Sequence, residues 1–477
     1  MSRVDTAWLR MDAPTNLMLI VGVWILRPGV SYPAVCQRLE ERLLKYPRFG
    51  QRVQQDALGA SWVTDPDFQI ERHVVREQLR RSAKGQEQQA LQDRLGELVV
   101  QPLDQAHPLW QFHLVEHYQG GSALLARIHH CIADGLALLA VTQSLVDGGA
   151  TPPRHQPRTS HPAGRKGLEG VEDWLVDALL QPFTDVAVTA LNAAGEATVS
   201  AMVPLREPKK GIEKGLAGSV ELAKMAYQGV RDAAALALMP DDSPTRLKGV
   251  PGLRKRVAWC QPITLEEVKA ISQALNCSIN DVLLSCVAGA IGEYLRSCGD
   301  QVAGKEIRAM VPVNLRPLED AYQLGNRFGL APVVLPIGIE NPVQRVFEVC
   351  RRMGAMKGSL QPLLAFGLLA VAGLLAKPAQ DALLGLFSRK TTAVMTHVPG
   401  PREKLKFLGA TLEQDLVWVP QSGTVGLGVW ILSYGGGVQF GVISDATLCP
   451  EPQKIIDQFE PEYAKLTLLT LMLPWGA

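Results

Sequence analysis

The chain has 477 residues, 47% hydrophobic and 20% charged, enough apolar material for two or three cores of ordinary domain size. Its formal net charge of +1 leaves no cationic excess to neutralise phosphates, which argues against nucleic acid as a partner. Eight cysteines (Cys36, Cys131, Cys260, Cys277, Cys286, Cys298, Cys350 and Cys449) are scattered with no CxxC pair, so they read as reduced, mostly buried thiols of a cytosolic protein.

The N-terminus opens Met-Ser-Arg-Val-Asp-Thr, with no basic stretch leading into an apolar one, so no secretory signal is expected. Residues 17–26 (LMLIVGVWIL) form a nearly continuous apolar run that suits a buried strand. Residues 33–46 and 86–99 carry apolar positions at helical spacing. Residues 122–129 (SALLARIH) read as a strand ending in a pair of histidines, and 136–146 read as a helix that starts directly after Asp134-Gly135.

Residues 151–168 are rich in proline, basic and polar residues, which marks a loop. Ala-rich helical stretches follow at about 170–203 and 211–239, and MPDDSP at 239–244 breaks the pattern again. The second half alternates once more. Strands are expected at 254–259, 307–313, 331–337 and 393–398, helices at 264–275 and 279–297, and a hairpin at 427–433 and 438–443 around Tyr434-Gly-Gly-Gly. The uncharged segment 358–376 is broken by Ser, Gln, Pro and Gly. Its continuous apolar part is shorter than the ~20 residues of a membrane span, so a buried or interfacial helix is expected there. The organisation that follows is α/β: an N-terminal domain over 1–160, a helical linker over 161–248 and a C-terminal domain over 249–477.

The chemistry concentrates in His129-His130-Cys131-Ile132-Ala133-Asp134-Gly135, an HHxxxDG motif where a strand gives way to a helix. Successive strand residues face opposite sides, so one histidine should face a cleft and the other the packed interior. A cleft-facing imidazole is a candidate general base, since its ordinary pKa lies near neutrality. Asp134 returns close to the histidines when the chain turns, and Gly135 leaves room beside it. The residues leave open whether Asp134 meets the imidazole or holds the turn through an arginine. They also leave open the plainer alternative of structural histidines with a helix-capping aspartate. Zinc is disfavoured because adjacent strand histidines diverge, so no metal site is expected. No GxSxG elbow and no P-loop occurs, so acyl chemistry here would be direct attack by a bound alcohol.

HHxxxDG is the signature of acyltransferases of the two-domain chloramphenicol-acetyltransferase-like type, and the wider text resembles the bacterial wax ester synthase / acyl-CoA:diacylglycerol acyltransferase family. Pro102-Leu103-Asp104 and Pro108-Leu109-Trp110 precede the histidines. Ser278-Ile279-Asn280-Asp281, Met310-Val311-Pro312-Val313-Asn314-Leu315-Arg316, Leu324-Gly325-Asn326-Arg327 and His397-Val398-Pro399-Gly400-Pro401 follow in the family's order. The C-terminal hairpin with Ser433-Tyr434, Phe440-Gly441 and Asp445 completes the set. This chain departs from the family in carrying His397 where asparagine is common.

The resemblance implies two chloramphenicol-acetyltransferase-like domains of mixed sheet flanked by helices. It implies His130 as catalytic base supported by His129, and Asp134 holding the turn. Asn280 and Asp281 would lie near the site, with Asn280 helping to place substrate, although Ser278 followed by Asp281 is also a helix-capping box. The expected substrates are fatty acyl-CoA with a fatty alcohol or diacylglycerol, without a cofactor, in a cytoplasmic protein peripherally associated with membrane or lipid inclusions. Ester transfer from a carrier-protein thioester and a non-catalytic lipid-inclusion surface protein are the alternative readings.

Overall fold

The computed structural model describes residues 1–56, 59–79, 85–150, 239–316, 323–356, 361–375 and 377–472. The helices expected at 170–203 and 211–239, and with them the linker up to residue 238, lie outside the described residues.

The first half supplies strands β1 (Leu19–Arg27), β2 (Gln51–Asp56), β3 (Gly59–Thr64), β4 (Val74–Glu77), β5 (Trp110–Tyr118) and β6 (Gly121–His129). The second half supplies β7 (Lys255–Trp259), β8 (Ile263–Thr264), β9 (Ile307–Asn314), β10 (Phe328–Leu335), β11 (Ala393–Pro399), β12 (Lys406–Phe407), β13 (Ala410–Trp418), β14 (Leu427–Tyr434) and β15 (Gly437–Asp445). Two mixed sheets result. One has the order β12-β13-β1-β6-β5-β4 and the other β10-β9-β11-β14-β15-β7, with β8 on β15; β2 and β3 form a separate ribbon.

The expected strands form because β1 and β6 are buried on both faces, which the nearly unbroken apolar run of β1 permits and an alternating one would not, while β6 also buries Arg127. What periodicity does not foretell is the exchange of chain between halves. The hairpin β12–β13, more than 250 residues after β6, leaves its own sheet and pairs antiparallel with β1. A tryptophan chain fastens it back: Trp418 lies edge-on to both Trp259 and Trp430 at 5.6 Å, and its Nε1 donates to the Val442 carbonyl.

The second half is built around the helix Ile279–Ser297, buried along nearly its whole length against β10 and the helices Leu265–Ala274, Pro342–Met356 and Gln453–Leu471. Within the uncharged segment 358–376, residues Gln361–Ala372 are helical and pack against β10 and the N-terminal helix Arg3–Arg10. Among the described residues no single helix is long and apolar enough to cross a membrane, although two bent helix pairs pass that test by length and composition.

Candidate active site

Strand β6 runs straight into the histidine pair. His130 continues the face of Ile128, Ala126 and Leu124, all of which line a cavity of about 380 Å³ between the two sheets. His129 points to the other side, where its Nδ1 accepts from the Cys131 amide and its Nε2 lies 3.2 Å from Asp12. Both rings are buried, His129 as well as His130.

The proton arrangement on His130 follows from its partners. The Asn326 side-chain amide donates to Asp5 Oδ1 and to the His130 carbonyl, both at 2.8 Å and both acceptors only. Its Oδ1 therefore faces His130 Nδ1, 2.8 Å away, and Nδ1 must carry the hydrogen. The unprotonated Nε2 is left as the available lone pair. Asp5 is held in turn by Arg48, 3.1 Å from its second oxygen, and Arg48 also donates to the Ile132 carbonyl within the HHxxxDG loop. A four-residue relay, Arg48–Asp5–Asn326–His130, thus ends on the imidazole. Trp8 stacks on the ring at a centroid distance of 4.1 Å and 10° between planes, while Phe328 covers it at a tilt.

This enclosure sets the charge. Burial pushes the His130 imidazole down to about 4, the lowering outweighing Asp134 and Asn326, so the ring is neutral at physiological pH. The Cys131 amide donates to His129 Nδ1, so that nitrogen is bare and the His129 ring carries its hydrogen on Nε2, facing Asp12. Two adjacent neutral histidines are thereby separated into one that lines the cavity and one turned toward Asp12.

Asp134 does not meet the imidazole. It caps the Gly135–Leu145 helix, with Oδ1 accepting from the Ala137 amide at 2.9 Å. Its Oδ2 accepts from the Arg327 amide and pairs with Arg316 at 3.2 Å, so the turn is held through an arginine from the other half. Gly325 completes the clasp. Its carbonyl accepts from the Asp134 amide and from Arg316, at a φ of +132° that a side chain rarely adopts. Gly135 opens the helix at the cavity wall, with open space where a side chain would stand.

Asn280 and Asp281 are not brought to this centre. Asn280 is exposed, neither residue lines the cavity, and Asp281 closes a capping box on Ser278 at the start of the Ile279–Ser297 helix. Helix initiation accounts for the Asp281 carboxylate, which accepts from the Ser278 amide and hydroxyl. His397, the departure from the family pattern, does line the cavity, and burial lowers its pKa. The residues that sequence reasoning left without a role are Asp5, Trp8, Arg48 and Asn326. An acidic and an aromatic residue three apart in the short N-terminal helix Arg3–Arg10 were the available signal for the first two.

The same arrangement of halves recurs in known proteins. Residues 1–283 match the model of the wax ester synthase/diacylglycerol acyltransferase catalytic domain, and residues 324–467 match that of the family's C-terminal domain. A diacylglycerol O-acyltransferase of Mycobacterium tuberculosis (tgs1) is 28% identical, with 98% of this chain and 96% of the relative aligned. A wax ester synthase/diacylglycerol acyltransferase from Marinobacter aquaeolei superposes with a TM-score of 0.65 at 19% identity, over 98% of each chain. The first condensation domain of the CDA synthetase shares the fold at a TM-score of 0.55 and 14% identity, over 99% of this chain and 95% of that one.

Proposed function

The chain belongs to the wax ester synthase/diacylglycerol acyltransferase family and is an O-acyltransferase; we propose that it joins a fatty acyl group from acyl-CoA to a fatty alcohol or diacylglycerol, with His130 Nε2 as general base. The observation that carries this reading is the relay through Asn326, which leaves a neutral ring with its basic nitrogen free beside an apolar cavity.

Donor and acceptor bind together. As the hydroxyl oxygen attacks the thioester carbonyl, its proton passes to His130 Nε2 and the new C–O bond forms. The tetrahedral intermediate then expels CoA as the C–S bond breaks, and the imidazolium returns its proton to the departing sulfur. Nδ1 stays bonded to Asn326 throughout, so the ring neither rotates nor changes tautomer. Trp8 and Phe328 shield the reacting atoms from water, which keeps hydrolysis from competing with transfer. Acyl-CoA is a co-substrate, and the reaction as written needs no cofactor. The protein works in the cytoplasm at a membrane or lipid-inclusion surface. Exposed Leu468, Leu471 and Met472 at the end of the Gln453–Leu471 helix suit such a contact.

Purified protein given labelled palmitoyl-CoA with hexadecanol or with diacylglycerol tests the reading. Wax ester or triacylglycerol formed by the natural chain and lost in His130→Ala is the expected result. Equal ester formation by both proteins would remove His130 from the mechanism.

A further inference from the structure

The cavity has a direction. On β6, Ile128, Ala126 and Leu124 step away from His130 along one face, and β1 places Ile20, Gly22 and Trp24 opposite them in that order. The middle pair is small. Apart from the terminal Arg27, Gly22 and Ala126 are the residues of these two strands that are not fully buried, because the cavity runs over them. The floor is thus a trough with its shallow point halfway along.

A polar pair stands at the far end of this lining. Trp24 stands directly across from Asp415 of β13, and its Nε1 donates to Asp415 Oδ1 at 3.1 Å. Among the described residues the other carboxyl oxygen has no hydrogen-bond partner, and Asp415 lines the cavity. Desolvation raises this carboxyl to about 7. The Gly135–Leu145 helix forms one wall, placing Leu136, Leu139, Thr142 and Leu145 along the cavity at successive three-residue steps. It begins beside His130 and ends near the β12–β13 turn, whose Leu408 and Gly409 amides donate to Asp147.

Two lengths agree. From His130 to the level of Leu124 is about 20 Å at ~3.3 Å per strand residue. The 11-residue helix wall is about 16 Å at ~1.5 Å per residue. Half the hydrocarbon core of a bilayer, the reach of one lipid chain, is about 15 Å.

We propose that the trough over Gly22 and Ala126 holds one substrate alkyl chain threaded away from His130, and that the Trp24–Asp415 pair is the end wall that limits its length. The inference rests on the acyltransferase reading above and adds which residues measure the chain. A longer chain must press its methyl end onto the carboxyl, where it gains no apolar contact and strips the oxygen of water.

The test uses the full chain with octanoyl-, lauroyl-, palmitoyl- and arachidoyl-CoA against one alcohol, and the matching alcohols against palmitoyl-CoA. Equilibrium binding of the same ligands is measured in parallel. In one series kcat/KM rises by roughly fourfold per buried methylene and levels off near palmitoyl length. Gly22 is a suitable position to fill, because a Cβ there meets only the Leu416 carbonyl, at 3.7 Å. Gly22→Val and Ala126→Leu are expected to lower the palmitoyl-to-octanoyl ratio by roughly tenfold or more. Asp415→Leu should raise the arachidoyl-to-palmitoyl ratio, and Asp415→Asn, which can still accept from Trp24, should not. Which series responds identifies the chain as acyl donor or acceptor. Ester formation with length ratios unchanged by Gly22→Val and Ala126→Leu in both series would overturn the channel and leave the acyltransferase reading standing. Binding whose length limit moves in these variants, without ester from any pair, would uphold the channel and overturn that reading.

Discussion

The helices Gly135–Leu145 and Ile279–Ser297 each begin on an engaged aspartate, and the difference between them separates a site from a scaffold. Asp281 spends its carboxylate within three residues, on the amide and hydroxyl of Ser278. Asp134 spends one oxygen locally, on the Ala137 amide, and the other on Arg316 and the Arg327 amide from the opposite half. Both are sound caps by local chemistry. Only at Asp134 does the cap also clasp the two halves, and that clasp brings Asn326 onto His130. A helix-start motif marks a functional centre when part of its hydrogen-bonding capacity is left over for a distant segment.

Substitutions can break this contrast at graded cost. The largest effect belongs to the proposed base: His130→Ala should lower kcat by about 10²- to 10⁴-fold without unfolding the protein, checked by single-turnover ester formation. Asp134→Asn removes the charge facing buried Arg316 and should cost about 3–5 kcal/mol of stability, seen as a lower midpoint in urea. Asn326→Ala leaves Nδ1–H without its acceptor. At about 1–3 kcal/mol for a buried unpaired group, kcat should fall by roughly 10- to 100-fold, with KM for both substrates little changed. Asp281→Ala should cost only about 1 kcal/mol of stability and leave kcat at its natural value. A large loss of kcat in Asp281→Ala with the fold intact would bring that helix start back into the site.

His130 extends the comparison to pH. His130 is depressed below its unfolded value, so its contribution to stability is present above about pH 6.5 and is lost as pH falls toward 4. Replacing His130 with glutamine should therefore flatten the acid limb of the stability curve.

Much of this site was legible because it is local. Strand alternation alone sends His130 and His129 to opposite faces, and the turn into the next helix makes Asp134 a cap. The arginine that holds it was one of two readings the motif left open, and Arg316 lies some 180 residues away with nothing in the spacing to select it. Asn326 sits in the recognised Leu324–Arg327 element, but its role depends on a relay that starts from Asp5 in an eight-residue N-terminal helix. The strand β13 was equally hidden. Its apolar residues would suit either sheet, and its partner is chosen by the tryptophan packing and the pairing with β1. Asn280 illustrates the converse, a residue whose motif is genuine while its side chain faces solvent.

Asn326 fixes His130 as a neutral ring with its hydrogen on Nδ1. Nitrogen-15 spectra of histidine-labelled protein, with His130 assigned by its loss in His130→Gln, test this between pH 5 and 8. A protonated Nδ1 and a bare Nε2 across that range, giving way to the other tautomer or a mixture in Asn326→Ala, is the predicted result. An imidazolium at pH 7, or hydrogen on Nε2 in the natural chain, would contradict it.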